Sequence, residues 1–263
     1  MVLALVLAGA NARAEPACRV AGDASAAIVE VTKRFEITLD DGRTIRLAGL
    51  APPRPDFVGS ATAEAARAAA TAEWAGRPVL VKALAGPDRW GRTPALLEPV
   101  EGGADVGSRL LALGAAVVGD SREGGAGGAD CPAARLAAEM AARKAGVGLW
   151  SESYYGVQQA ADRDGLLARA GTFALVEGTV RRVGTGRLRL YLDFGAGRDG
   201  FSVTVTTRMI RAFEAAGMDL RGLTGRRLRV RGVVETYEGR DGAAPRMELS
   251  GPGALELLDG GAP

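Results

Sequence analysis

The sequence contains no histidine among its 263 residues, and this absence restricts the chemistry that the chain can perform. Histidine is the commonest general base near pH 7 and the commonest protein ligand of metal ions. The chain has two cysteines, too few to complete a zinc site by themselves. Any metal-dependent reaction would therefore rest on carboxylate and carbonyl oxygens.

Lysine is also scarce, since Lys33, Lys82 and Lys144 are the three in the chain. Arginine therefore carries most of the positive charge, and its planar fork suits bidentate contact with phosphate better than an ammonium group does. The formal net charge is only +2, so no overall field draws the protein onto nucleic acid. An arginine-rich composition is equally typical of a GC-rich genome, which is the simpler explanation.

The N-terminal residues resemble a secretory signal. A short apolar run, Val2 to Leu7, precedes an Ala-x-Ala site at Ala12 to Ala14, and it is far below the ~20 apolar residues of a membrane-spanning helix. This pattern predicts a signal peptide over residues 1–14 and a periplasmic or secreted protein without stable membrane insertion. No basic residue precedes the run, which is expected if the true start of the signal lies upstream; an ordinary apolar N-terminal strand is the alternative. Export would favour one disulfide between Cys18 and Cys131.

Hydrophobic patterns divide the remaining chain into two structured parts. Residues 15–150 mix strand-like and helix-like segments, and Asp40–Gly42 is typical of a hairpin turn. Residues 151–171 have weak periodicity and are predicted to be a linker. Residues 172–258 return to strands, five of them with a helix between the third and fourth, which is typical of an OB-type barrel. Another small α+β sheet domain is the alternative, and residues 259–263 form a tail.

Three sequence blocks of the first part follow one another in a characteristic order. They read ITLDDGRTIRLAGLAPPRPD, DRWGR and CPAARLAAEMAARKAGVGLW. In combination they resemble the staphylococcal nuclease-like (thermonuclease) domain over roughly half of the chain, from Val31 to Trp150. The resemblance implies an OB-type five-stranded barrel with three helices. The whole chain is then expected to be a mixed fold, β-barrel plus α, with a second OB-like barrel.

In active members of this family two arginines hold the phosphate, two aspartates bind calcium and a glutamate acts on the attacking water. The resemblance assigns the phosphate-binding role to Arg46 and Arg92. The calcium positions hold Phe35 and Ala51, which offer no side-chain oxygen, and the glutamate position holds Arg54, which cannot accept a proton. We therefore expect no intact catalytic set, a lost calcium site and no cofactor.

Nearby acids are the candidates to replace the missing carboxylates. Glu36 is adjacent to Phe35, but strand alternation directs it to the opposite face. Asp40 and Asp41 suit the hairpin turn. Asp56 lies two residues beyond the glutamate position and is the least implausible substitute. A solvated or turn-forming role is favoured for all four acids.

If the barrel is kept, five basic side chains would meet at the former catalytic site. They are Lys33, Arg34, Arg46, Arg54 and Arg92. A cluster without acids repels itself unless an anion or solvent is present, which favours anion binding. The alternatives are that Arg46 pairs with a surface acid and that Arg92 caps the DRWGR turn through Asp88.

Alternation in the second part directs further basic and aromatic side chains outward. Arg229 and Arg231 lie on one side of their strand, opposite an apolar side, and Arg189 and Tyr191 do the same on another strand. A barrel that presents arginines and an aromatic ring could bind single-stranded nucleic acid through stacking and charge. A solvated strand face without a partner is the alternative.

The sequence thus predicts an exported nuclease-like pseudoenzyme that binds single-stranded nucleic acid or another phosphorylated or anionic ligand. The first alternative is an active phosphodiesterase or endonuclease with a site rearranged around Glu36 or Asp56. The second is a structural interaction module of the cell envelope that uses neither set of arginines. Phosphodiesterase activity, calcium affinity and salt-dependent binding distinguish the three.

Overall fold

The computed structural model describes residues 22, 24–51, 61–119, 132–195, 200–239 and 242–259. Several sequence predictions lie outside these residues. They are the signal peptide over 1–14, the Cys18–Cys131 disulfide, and the roles of Arg54 and Asp56.

The first half of the described chain forms a closed barrel of five strands. The strands of this half are β1 (Ala24–Val31), β2 (Ile37–Leu39), β3 (Thr44–Leu47), β4 (Leu50–Ala51), β5 (Pro78–Ala83), β6 (Arg92–Pro99) and β7 (Val117–Val118). The barrel order is β1-β2-β3-β6-β5, with β5 pairing back to β1. Strand β3 runs parallel to β6, whereas the other barrel neighbours are antiparallel, and β4 pairs with β7 outside the barrel. The mixed fold with a barrel and a few helices is therefore confirmed.

Alternating apolar side chains fill this barrel, because successive residues of a strand point to opposite faces. Ile28, Ile37, Ile45 and Leu97 are all at most 1% exposed. The predicted hairpin between β2 and β3 is also present, where Gly42 has φ 85°, a left-handed conformation that glycine adopts without a Cβ clash. The hairpin fixes the pairing of β2 with β3. Alternate residues of the two strands then point into the barrel, and the residues between them point outward.

Three helices accompany the barrel: α1 (Ala61–Trp74), α2 (Val106–Ala112) and α3 (Pro132–Ala145). Helix α2 begins at Asp105, whose carboxylate accepts the backbone N–H of Ser108 at 3.3 Å as an N-cap. The guanidinium of Arg135 on α3 donates to that carboxylate at 2.8 Å and to the Ala48 carbonyl at 2.5 Å. These buried contacts tie α3 to the start of α2 and to the end of β3.

The second half forms one strongly curled mixed sheet. Its elements are β8 (Gln158–Gln159), α4 (Arg163–Leu167), β9 (Phe173–Thr179), β10 (Arg182–Thr185), β11 (Arg189–Asp193), β12 (Ser202–Thr206), α5 (Thr207–Ala215), β13 (Arg227–Gly239), β14 (Gly242–Glu248) and β15 (Leu255–Leu257). The order is β10-β11-β12-β14-β13-β9-β8, and β15 also pairs with β13. Strands β9 and β10 lie near opposite ends of this order but are separated by only two residues of the chain. The sheet therefore curls and brings its two ends close together.

The segment 151–171, expected to be a linker, differs from that expectation. It contains β8, which pairs in parallel with β9, and helix α4. Leu166 of α4 is fully buried in the core of the second half. The elements are too short to produce clear periodicity, and for this reason the sequence pattern fails to reveal them. The segment is part of the second folded unit.

A buried ion pair joins the two halves. Glu139 of α3 accepts two hydrogen bonds from Nη1 of Arg231 on β13, at 2.9 and 2.8 Å. Its carboxylate also accepts the backbone N–H of Val118 at 2.6 Å. Arg231 is 2% exposed and Glu139 is 0% exposed. Burial alone would lower the pKa of Arg231, but Glu139 and then Glu256 overcome that effect and raise it.

Candidate functional site

The two arginines assigned to phosphate binding lie on one outer face of the first barrel. In the parallel pair of β3 and β6, Thr44 lies beside Arg92 and Arg46 lies beside Pro94. Ile45 points into the core, so Arg46 points outward on the same side as Arg92. The sequence interpretation placed these two arginines together, and the barrel register does so.

Arg92 is held by two carboxylates. Asp88 Oδ2 accepts from Nε of Arg92 at 2.9 Å and from Nη2 at 2.7 Å. Glu36 Oε1 accepts from Nη1 of Arg92 at 3.0 Å. The hydrogen bonds that Arg92 donates to Asp88 and then to Glu36 raise the pKa of Arg92, so this guanidinium stays charged. The turn-capping role of Arg92 through Asp88, which the sequence left as an alternative, is present in the structure.

Asp88 is fixed in place by the turn that precedes β6. Its Oδ1 atom accepts the backbone N–H groups of Trp90 at 2.9 Å and of Arg92 at 3.0 Å. The side-chain hydrogen bond from Arg92 is the main reason why the pKa of Asp88 falls from 3.8 to about 2. Asp88 therefore remains ionised and holds the turn and the guanidinium together.

Glu36 faces Arg92 on the outer face, whereas Phe35 packs against the core, so the two side chains point to opposite sides as strand alternation predicts. Phe35, just before it, has φ 58°, a left-handed conformation that is rare outside glycine. Its backbone N–H donates to the Thr32 carbonyl at 2.9 Å, which closes a turn, and β2 begins only at Ile37. The expectation failed on another point: Arg46 and Arg92 lie on the face of Glu36 and not on the side of Phe35.

Arg46 completes a group of four charges with Arg92, Glu36 and Asp88. Burial lowers the pKa of Arg46 and the charge of Arg92 lowers it further, whereas Asp88 and Glu36 oppose this shift. Extension of the β2–β3 register by one residue places Glu36 directly opposite Arg46. The expectation of a basic cluster without acids is therefore wrong, because two carboxylates neutralise these two arginines.

An exposed tryptophan stands at the edge of this group, and the sequence interpretation did not single it out. Trp90 is 61% exposed. The guanidinium carbon of Arg89 lies 3.9 Å from the centroid of its ring, and that of Arg92 lies 4.7 Å from it. Lys33 and Arg34, in the turn before Glu36, are both exposed. The signal that could have identified Trp90 is an aromatic residue between two arginines within DRWGR.

The two positions assigned to lost calcium ligands lie in apolar surroundings. Phe35 packs against the core of the first barrel. Ala51 packs in a different cluster, with Val117, Leu149 and Phe173 among its members. Among the described residues, no group of three or more Cys, Asp or Glu side chains is arranged to hold a metal ion.

The outer face of β11 in the second half is electrically balanced. Arg189 pairs with Glu248 at 2.6 Å, and Tyr191 beside it is 37% exposed. Two further pairs lie on the same sheet, Arg182 with Asp193 at 2.7 Å and Arg246 with Glu235 at 3.0 Å. Each of these arginines already has a carboxylate partner, so this face attracts phosphate less than the sequence pattern suggests.

Arg231 differs more strongly from its predicted role. It is buried between the halves and contacts Glu139 and Glu256, so it does not lie on an open binding surface. Arg229, with a side chain 14% exposed, pairs with Glu177 and with Glu256 at 2.9 Å. Alternation correctly directs both arginines to one side of β13, but that side faces α3 instead of solvent.

No helix in the described part of the chain has the length and apolar character needed to cross a membrane. No protein-family model matches the sequence. A comparison with curated proteins finds no match either.

Proposed function

We propose that the protein binds phosphodiesters through the outer face that carries Arg46, Arg92 and Trp90. One observation carries this proposal: the parallel register of β3 and β6 brings two arginines to one face, beside an exposed tryptophan. The strand order first-second-third-fifth-fourth, with a helix between the third and fourth, supports an OB-type barrel for the first half. From this barrel order and the three sequence blocks we infer that the chain is a relative of the staphylococcal nuclease-like proteins, and from the N-terminal sequence pattern that it is exported.

The wider face has an excess of positive charge even though its centre is balanced. Lys33 and Arg34 lie in the exposed turn before Glu36, where Lys33 is near Glu64, and the exposed Arg89 lies in the turn before Arg92, so three basic residues adjoin the central group. Such an excess attracts a phosphate backbone, and its effect weakens as salt screens it. An aromatic ring beside it can stack on an unpaired base, and this contact is tolerant of sequence. We therefore favour single-stranded nucleic acid as the ligand, ahead of other phosphorylated molecules.

We further propose that this binding does not lead to calcium-dependent hydrolysis. Phe35 and Ala51 supply no carboxylate, and calcium needs several oxygen ligands. Two arginines that bind the substrate and the transition state equally well do not accelerate the reaction. The proposal is of a pseudoenzyme that retains the phosphate-binding part of the site.

A second candidate function is phosphodiester cleavage by a rearranged site. The observation that favours it is the contact of Glu36 with Arg92, because a carboxylate beside a bound phosphate can act as a general base. Against it, one oxygen of Glu36 already accepts the hydrogen bond from Arg92, so that oxygen is not available to take a proton from an attacking water. If this candidate is correct, wild-type protein cleaves single strands and Glu36→Gln abolishes cleavage.

Fluorescence anisotropy with a fluorescein-labelled 12-nucleotide oligothymidylate, at several salt concentrations, tests the binding proposal. Arg46→Gln and Trp90→Ala should each weaken binding about threefold or more. Arg221→Gln is the matched control, since Arg221 is an exposed arginine of the second half that pairs with Glu214. Circular dichroism checks that each variant is folded.

The dependence on salt separates the proposals further. Affinity should fall with a log–log slope of about −0.7 for each phosphate contact on a single strand. Chelators should leave the affinity unchanged, because the contacts come from side chains alone. Absence of binding at low salt, or binding that is indifferent to Arg46→Gln and Trp90→Ala, would favour the structural envelope module.

A further inference from the structure

Three of the N–H groups of Arg92 already donate to carboxylates. A guanidinium has five N–H groups, and it binds an oxyanion in bidentate fashion through two parallel N–H groups along one edge. In Arg92 the edge formed by Nε and Nη2 is taken by Asp88, and one N–H of Nη1 donates to Glu36. A phosphate that approaches the two terminal nitrogens therefore meets the negative charge of Glu36 beside the N–H groups that remain.

The two carboxylates differ in how firmly they are held. Asp88 is bound by two backbone N–H groups of its own turn as well as by two nitrogens of Arg92. Glu36 contacts Arg92 through one oxygen, has a longer side chain, and reaches Arg92 from a distant part of the sequence. Displacement of Asp88 would also break the two backbone hydrogen bonds of its turn, whereas displacement of Glu36 breaks neither of them. Glu36 is thus the group that leaves.

We propose that Glu36 competes with the ligand's phosphate for Arg92, so that this carboxylate sets how tightly the site binds. This inference rests on the proposed function, since it presumes that phosphate binds at Arg46 and Arg92. The same carboxylate lies opposite Arg46 in the extended register, so its departure also removes a negative charge from the second arginine. A bound phosphate takes the place of one acid between two arginines.

Glu36→Gln tests this competition, because glutamine keeps the size of the side chain and removes its charge. We expect the variant to bind the labelled 12-nucleotide oligothymidylate about threefold to tenfold more tightly than wild type at low salt. The salt slope should become steeper by about 0.7, the value for one additional phosphate contact. Wild-type binding remains the reference in every comparison.

Glu101→Gln is the matched control for the change in net charge. Glu101 is an exposed acid that pairs with Arg77, and it lies beyond the far end of β6 from Arg92. At about 3.3 Å per residue, nine residues of extended chain separate the two positions by more than 20 Å. The two variants are therefore also compared at physiological ionic strength, where the Debye length is about 8 Å and a charge at that distance is ineffective. Glu101→Gln should therefore bind as wild type does.

A double-mutant cycle with Arg92→Lys shows whether Glu36 acts through Arg92. Lysine keeps the positive charge but not the planar fork, so the tightening caused by Glu36→Gln should shrink to less than about twofold in the Arg92→Lys background. Trp90 fluorescence and circular dichroism verify that the turn and the fold persist in the double variant. Persistence of the full tightening in that background would mean that Glu36 acts by general charge alone, and would overturn the proposed competition.

The remaining outcomes separate this inference from the function on which it rests. If wild type binds and Glu36→Gln binds no better than Glu101→Gln, the competition is refuted while phosphate binding stands. If wild type binds weakly and Glu36→Gln reveals clear binding, both are supported. If neither protein binds at low salt, both are refuted, since removal of a competitor should expose any affinity that exists.

Discussion

Replacement of Glu139 by alanine should destabilise the protein more than the loss of any surface charge. Glu139 is fully buried, and its carboxylate accepts hydrogen bonds from Arg231 and from the backbone N–H of Val118. Breaking a buried ion pair by removal of one partner costs about 3–5 kcal/mol. The unsatisfied N–H of Val118 adds about 1–3 kcal/mol. Because Glu256 still neutralises Arg231, we expect a loss near the lower part of this range, about 4 kcal/mol.

The size of this effect is measurable by unfolding in urea and by heat. A loss of about 4 kcal/mol in the free energy of unfolding corresponds to a fall of roughly 8–16 °C in Tm for a chain of this size. Glu139→Gln keeps an oxygen that can accept from Val118, so it should cost about half as much. The control Glu101→Ala removes an exposed acid and should change the free energy of unfolding by less than about 1 kcal/mol.

A double variant shows whether the loss in the free energy of unfolding of Glu139→Ala comes from the charge of Arg231, which no longer has Glu139 as its partner. Arg231→Met in the Glu139→Ala background removes that charge, so the double variant should be more stable than the sum of two single losses predicts. If Glu139→Ala unfolds at the same temperature and urea concentration as Glu101→Ala, the proposed role of this ion pair in joining the halves is refuted.

Three further results are expected. Gly148→Ala should cost about 2–4 kcal/mol in unfolding experiments, because Gly148 has φ 56° and a Cβ there would overlap the Gly114 carbonyl; a neutral substitution would contradict this. The pKa of Asp88 is lowered to about 2, so its ionised form stabilises the fold above pH ~4 and this contribution disappears as the pH falls toward 2; the stability difference between wild type and Asp88→Asn, followed by urea unfolding, should shrink over that interval. Mass spectrometry of exported protein should find Cys18 linked to Cys131, and two free thiols would contradict the disulfide.

Local patterns predicted much of the first barrel. The alternation of Ile37, Leu39, Ile45 and Leu47 with polar residues, interrupted by Asp40–Gly42, indicates two strands joined by a hairpin, and both strands and turn are present. Such patterns succeed because side-chain direction in a strand and glycine's conformational freedom are properties of a few consecutive residues. The same reasoning explains why the prediction of a linker over residues 151–171 is wrong. The elements in that segment are too short to show a hydrophobic period.

Glu36 shows that the direction of a side chain does not reveal what the side chain meets. Alternation directs Glu36 away from Phe35, and the structure agrees, since Phe35 packs against the core while Glu36 lies on the outer face. Nothing in the alternation of apolar residues records that Arg46 and Arg92 share that outer face. The consequence reaches the candidate site, because it is Glu36 that meets Arg92 and balances its charge.

The sequence alone determined that Arg229 and Arg231 lie on the same side of one strand, opposite Leu228 and Val230. Only the tertiary structure decided what that side meets. Arg231 lies against Glu139, 92 residues away in the chain, and is buried there, although its pattern is indistinguishable from that of a solvated strand face. The direction of a side chain follows from local backbone geometry, whereas its burial depends on which distant segment packs against it, and periodicity carries no information about that segment.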